Sequence, residues 1–156
     1  MTAGGTIRVV VDRAPIDAAA ELALTEAAGV GAVATFTGLV RADAGAGGDV
    51  EMLELEHYPG ATEAALRSLC DEAMRRWSLA GATIVHRVGP MRPGERIVFV
   101  VAAAAHRGAA LEACAFLIDR LKTDAPFWKR EVRGGEAAWV EARETDDAAA
   151  RRWLAG

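Results

Sequence analysis

Two lysines stand apart among the residues able to do chemistry. The chain has 156 residues and 18 basic side chains, all arginine except Lys122 and Lys129. These two lie seven positions apart, with no arginine between them. Chance would place two lysines in consecutive basic slots in roughly one arrangement in nine. The sharper reading is that both positions need an ammonium. A lysine can release its proton near neutral pH, and a guanidinium cannot. Arg120, Lys122, Lys129, Arg130 and Arg133 form a basic cluster in a chain whose net charge is −4. Its plainer reading is a solvated helix end with snorkelling side chains. Phe127 and Trp128 beside Lys129 argue that the segment packs instead. Lysines sharing a pocket with arginines are pushed toward the free amine, which can move protons or act as a nucleophile.

His106 and Arg107 are a second pair of interest, because they follow an apolar run and open a helix. A helix N-terminus offers unpaired N–H groups to an anion, and Arg107 adds a forked donor suited to phosphate or carboxylate. The alternative is a capping histidine with a surface arginine. Arg41 closes a strand beside a glycine-rich stretch, a place that suits a ligand mouth as well as ordinary surface. His57 and His86 fall within strands and read as structural. Cys70 and Cys114 fall on apolar helix stripes and read as inert buried thiols. The histidines show no metal-ligand spacing, and no nucleophile elbow, phosphate loop or dinucleotide fingerprint is present. The residues therefore point to an anionic ligand and to acid–base or amine-assisted acyl chemistry, with no metal and no cofactor.

Hydrophobic patterning supplies the elements that must position these groups. Strands are expected at Ile7 to Val11, Ala32 to Thr37, Val50 to Tyr58, Ala82 to Val88, Ile97 to Ala105 and Ala137 to Ala142. The Ile97 run is apolar throughout and reads as a central strand covered on both faces. Helices are expected from Asp17 to Ala28, after an N-cap at Thr62, from His106 to Lys122, and from Thr145. The Thr62 helix carries Leu66, Leu69, Cys70, Ala73, Met74 and Trp77 on one stripe. The His106 helix carries Ala110, Leu111, Cys114, Leu117, Ile118 and Leu121, and must end before Pro126. Gly89 to Gly94 reads as turns, and 42–49 as a mobile loop. Strands and helices do not alternate regularly, which favours an α+β class in a single domain, 1–156.

Composition narrows the function further. The apolar fraction of 52% is ample for one core. The negative net charge argues against broad nucleic-acid or acidic-membrane binding. Two distant cysteines make no disulfide framework, and the first residues show no signal-peptide core, so a reduced, cytoplasmic setting is expected.

The strings TFTGLVR (Thr35 to Arg41), LEHYPGATE (Leu55 to Glu63), IVHRVGPMRPGE (Ile84 to Glu95), AHRGAALEA (Ala105 to Ala113), LKTDAPFWKRE (Leu121 to Glu131) and WVEARE (Trp139 to Glu144) resemble the large, catalytic subunit of molybdopterin synthase. The resemblance runs from about Gly31 to Trp153. It implies an α/β-hammerhead-type fold with a mixed, largely antiparallel sheet and packed helices. It implies a homodimer within a heterotetramer, each large subunit receiving a small ubiquitin-like sulfur-carrier subunit whose C-terminal Gly-Gly bears a thiocarboxylate. The reaction implied is transfer of two sulfurs to cyclic pyranopterin monophosphate (precursor Z), giving the dithiolene of molybdopterin. Lys122 and Lys129 match the family's catalytic pocket lysines. Arg41, His106, Arg107, Arg130, Glu131 and Arg143 match substrate-binding positions, with Leu39 and Val40 on the strand leading to Arg41. Many relatives carry a polar or basic residue where Leu39 stands, so only a backbone contact carries over there. The pocket of such a dimer can draw on both protomers. The competing reading is a non-catalytic module that binds a partner's Gly-Gly tail or a small phosphorylated ligand; a metal hydrolase is disfavoured by the missing ligand spacing.

Overall fold

The computed structural model describes residues 5–42, 48–140 and 144–154. Among them the order is β1 (Thr6–Asp12), α1 (Ala18–Thr25), β2 (Ala32–Leu39), β3 (Met52–His57), α2 (Ala61–Trp77), β4 (Gly81–Arg87), β5 (Gly89–Met91), β6 (Arg96–Ala104), α3 (Arg107–Asp124), β7 (Phe127–Arg133), β8 (Glu136–Val140) and α4 (Glu144–Arg151). Eight strands form two four-stranded sheets, ordered β1-β4-β6-β2 and β5-β3-β7-β8. Among the described residues only the β1–β4 pairing is parallel; the other pairings are antiparallel. This is the expected α+β architecture.

The unbroken apolar run of β6 has its explanation in the layers. Val98, Val100, Ala102 and Ala104 face the main core with residues of α2 and α3. Phe99 and Val101 face a smaller core with Ile16 and Val85, flanked by Ala18 at the start of α1. A strand covered on both faces has no place for a polar residue, and from Ile97 to Ala104 every residue is buried.

Several elements depart from the sequence reading. Helix α2 begins after Gly60, whose φ of 89° suits a residue without a Cβ. Thr62 is not its cap but lies inside its first turn, fully buried. Its hydroxyl accepts from the Tyr58 N–H at 3.0 Å and donates to the Pro126 carbonyl at 2.9 Å. Leu111 does not join the buried stripe of α3; it is exposed, and Ala113 and Phe116 are buried instead. The Gly89 segment, read as turns, is a short strand pairing with β3. The segment after Pro126, which carried no strand expectation, is β7, the centre of the second sheet with β3 on one side and β8 on the other. The loop expected at 42–49 lies largely outside the described residues.

Candidate functional site

The two lysines reach one cleft from two kinds of element. Lys122 sits in the last turn of α3, where the carbonyl end of the helix favours a cation. The helix stops at Asp124, as the following Pro126 requires. The chain then turns into β7 and presents Lys129 from its third residue. Both line a cleft of about 360 Å³.

The rest of the cleft wall follows from sheet register. Strand β2 contributes Phe36 through Leu39 and runs on to Val40 and Arg41. Its pairing with β6 slips between Gly38 and Leu39, and such an irregularity re-aims the strand end. Gly38 is needed at that slip, because a Cβ there would come within 2.7 Å of Val98 Cγ1. Strand β7 contributes Lys129 and Glu131, which pair with Leu55 and Leu53 of β3. Alternation along β7 turns the intervening Arg130 to the opposite face. There its Nη2 donates to Glu54 Oε2 at 2.5 Å, and its guanidinium lies 5.7 Å from the Trp139 ring centroid.

Of the residues singled out from sequence, the structure brings Lys122, Lys129, Arg41, Glu131, Leu39 and Val40 to this cleft. Arg130 lies outside it. His106 and Arg107 also lie outside it, at the exposed N-terminus of α3. Arg107 and Lys122 stand at opposite ends of one helix, about 22 Å apart at the usual rise per residue. Arg143 lies outside the described residues. Sequence reasoning missed the apolar part of the wall, Phe36, Val50, Leu53 and Ile97. The alternation of β3 placed Leu53 on the inward face, but nothing in the chain showed that this face ends in a cleft.

Behind the cationic wall lies His86, buried on β4. Its ring stacks on Phe127 with centroids 4.0 Å apart, and its Nδ1 is 3.0 Å from the Arg87 carbonyl. A carbonyl can only accept, so the proton sits on Nδ1. Burial pushes its pKa down to about 3; the Arg87 carbonyl works against that shift, and the charges of Lys122, Lys129 and His57 add to it. The imidazole is therefore neutral at physiological pH, in keeping with a structural histidine. Both cysteines are buried. Burial raises the Cys70 thiol to about 12, with Asp71 adding to the rise, and the Cys114 thiol to about 11. Neither supplies a thiolate near neutral pH. Among the described residues, no three His, Cys, Asp or Glu side chains gather to hold a metal ion, and no helix is long and apolar enough to cross a membrane.

A cleft walled by two lysines, an arginine, one glutamate and a strip of apolar surface suits an anionic, partly apolar ligand. The family model described as MoaE protein matches residues 11–124. The chain belongs to the MoaE family. It is 55% identical over 152 residues to the molybdopterin synthase catalytic subunit of Mesorhizobium japonicum, covering 95% of this chain and 92% of that protein. Among solved structures, molybdopterin cofactor biosynthesis protein E from Burkholderia multivorans superposes with a TM-score of 0.80 at 48% identity, covering 95% of this chain and 97% of that one. A Helicobacter pylori structure, described as a protein–protein complex of subunits 1 and 2 of molybdopterin-converting factor, shares the fold. Its TM-score is 0.71 at 19% identity, covering 88% of this chain and 91% of that chain. The MoaE fold thus sets the lysine cleft at the junction of its two sheets, closed by the C-terminal end of α3.

Proposed function

We propose that this protein is the catalytic subunit of a molybdopterin synthase. In this reading it transfers two sulfurs to precursor Z, one from each of two successive C-terminal thiocarboxylates of a small ubiquitin-like subunit, in the cytoplasm. The observation that carries the reading is the convergence of Lys122 and Lys129 with Arg41 in one cleft, in a chain of the MoaE family. Both reactants are anionic, one a thiocarboxylate and the other a cyclic phosphate, and the cleft is cationic. The sulfur arrives on the partner, which agrees with two buried, protonated cysteines.

The roles follow from position. Lys122 stands by the terminal carbon of the entering tail, stabilises the charge that develops on its oxygen, and moves protons. Lys129 completes the cationic wall. Arg41, at the cleft mouth, holds the phosphate. The apolar strip from Phe36 to Ile97 receives the less polar body of the substrate. His106 and Arg107 are too far from Lys122 on α3 to serve the same cleft, so they are assigned to the cleft of a second copy, in a homodimer that binds two small subunits. The Mesorhizobium japonicum relative is itself named a catalytic subunit, which supports a further subunit as partner.

Reconstitution tests the reading. The protein is mixed with precursor Z and with the small subunit carrying a C-terminal thiocarboxylate, and dithiolene product is measured. Product formation is expected. Binding of both components without product would favour the non-catalytic module instead.

A further inference from the structure

Glu131 is a carboxylate in a cationic wall. It lines the cleft with Lys122 and Lys129, and it shares one face of β7 with Lys129. What restrains it is Arg133, two residues further along β7 and therefore on the same face. Arg133 donates to Glu131 Oε2 twice, from Nε at 3.2 Å and from Nη2 at 2.9 Å. Both bonds converge on one oxygen of the carboxylate. The pair is largely shielded, with side-chain exposures of 24% for Arg133 and 20% for Glu131. The third guanidinium nitrogen, Nη1, donates to the carbonyl of Gly48. Residues just beyond Gly48 run along the end of β7, where the Glu51 N–H bonds to the Val132 carbonyl at 2.8 Å. One guanidinium thus ties the cleft carboxylate to the chain segment that returns to β3.

We propose that Arg133 is a positioning residue for sulfur transfer: it holds one oxygen of the Glu131 carboxylate, weakens its claim on the two lysines, and so favours their capture of the anionic reactants. The inference rests on the sulfur-transfer reading of the cleft. Without Arg133, Glu131 commits fully to Lys122 or Lys129, and the thiocarboxylate and the phosphate must displace it. A planar fork that reaches Glu131 from two nitrogens and Gly48 from a third is something a lysine reproduces only in part.

The test is a double-mutant cycle on the full-length protein, with dithiolene formation measured from precursor Z and the thiocarboxylated small subunit. Arg133→Ala is expected to lower kcat/KM about tenfold, mostly through a raised KM. Arg133→Lys should recover part of that loss. In a Glu131→Gln background, where no carboxylate is left to compete, Arg133→Ala should change kcat/KM by less than about twofold. A normal kcat/KM for Arg133→Ala overturns the proposal. So does an equal loss in both backgrounds, which would mean that Arg133 acts through the fold and not through Glu131. If the unsubstituted protein forms no product, the sulfur-transfer reading fails first and this inference falls with it.

Discussion

The hydroxyl of Thr62, in the first turn of α2, donates to the carbonyl of Pro126, the residue at the break between the two lysines. The same oxygen accepts from the N–H of Tyr58 at the end of β3. One fully buried side chain thus joins the end of a strand, the start of a helix and the turn that sends the chain from Lys122 toward Lys129.

Thr62→Val keeps the shape and removes both bonds, leaving the Tyr58 N–H and the Pro126 carbonyl without this partner. A stability loss of about 1–3 kcal/mol is expected, measured as a lower midpoint in urea unfolding at unchanged slope. A midpoint equal to that of the unsubstituted protein would show that the turn is held by other contacts.

His86 predicts a pH dependence of definite sign. Its folded-state pKa is pushed from 6.5 down to about 3 by burial, so between those values the unfolded chain binds a proton that the folded chain refuses. Stability from this group is complete above about pH 6.5 and falls as pH drops toward 3, by at most about 1.4 kcal/mol per pH unit. The charges of Lys122, Lys129 and His57 oppose the charging of the ring. His86→Phe preserves an aromatic partner for Phe127 and removes the titration. Urea unfolding at a series of pH values should therefore give a shallower acid slope for the variant than for the unsubstituted protein. Equal slopes would contradict a neutral buried imidazole.

The placement of His106 and Arg107 predicts complementation. Lys122→Ala and Arg107→Ala variants are each expected to be inactive or nearly so. In a two-fold dimer formed from one of each, one cleft carries both substitutions and the other carries neither. Mixing the variants with subunit exchange should restore about a quarter of the unsubstituted activity. No recovery after verified exchange would return Arg107 to a role outside the cleft.

How much of this was legible depended on whether the signal was local. The β6 run declared a strand buried on both faces because burial on both faces leaves a continuous apolar string. The end of α3 was legible because Pro126 forbids its continuation. The arginine bias made Lys122 and Lys129 conspicuous by residue type alone. Strand β7 was not legible, because FWKREVR sets charged residues on both faces: Lys129 and Glu131 line a cleft, and Arg130 pairs with Glu54 across the other face. A strand whose two faces both meet polar partners has no hydrophobic alternation to read. Thr62 resembled a cap by type and position, but Gly60, with its positive φ, starts the helix and frees the hydroxyl for a long-range bond. The family strings placed Lys129, Arg130 and Glu131 in one binding group. Sheet alternation separates the middle residue from the other two, a distinction that needs a known strand and register.

The central claim is that Lys122 acts through an amine that exchanges its proton, and Lys122→Arg tests it most directly. The substitution keeps the positive charge and nearly the same reach. Dithiolene formation from precursor Z and the thiocarboxylated small subunit is measured alongside binding of that subunit. The account predicts retained binding and a rate lowered at least about a hundredfold. Turnover within a few-fold of the unsubstituted protein would contradict it.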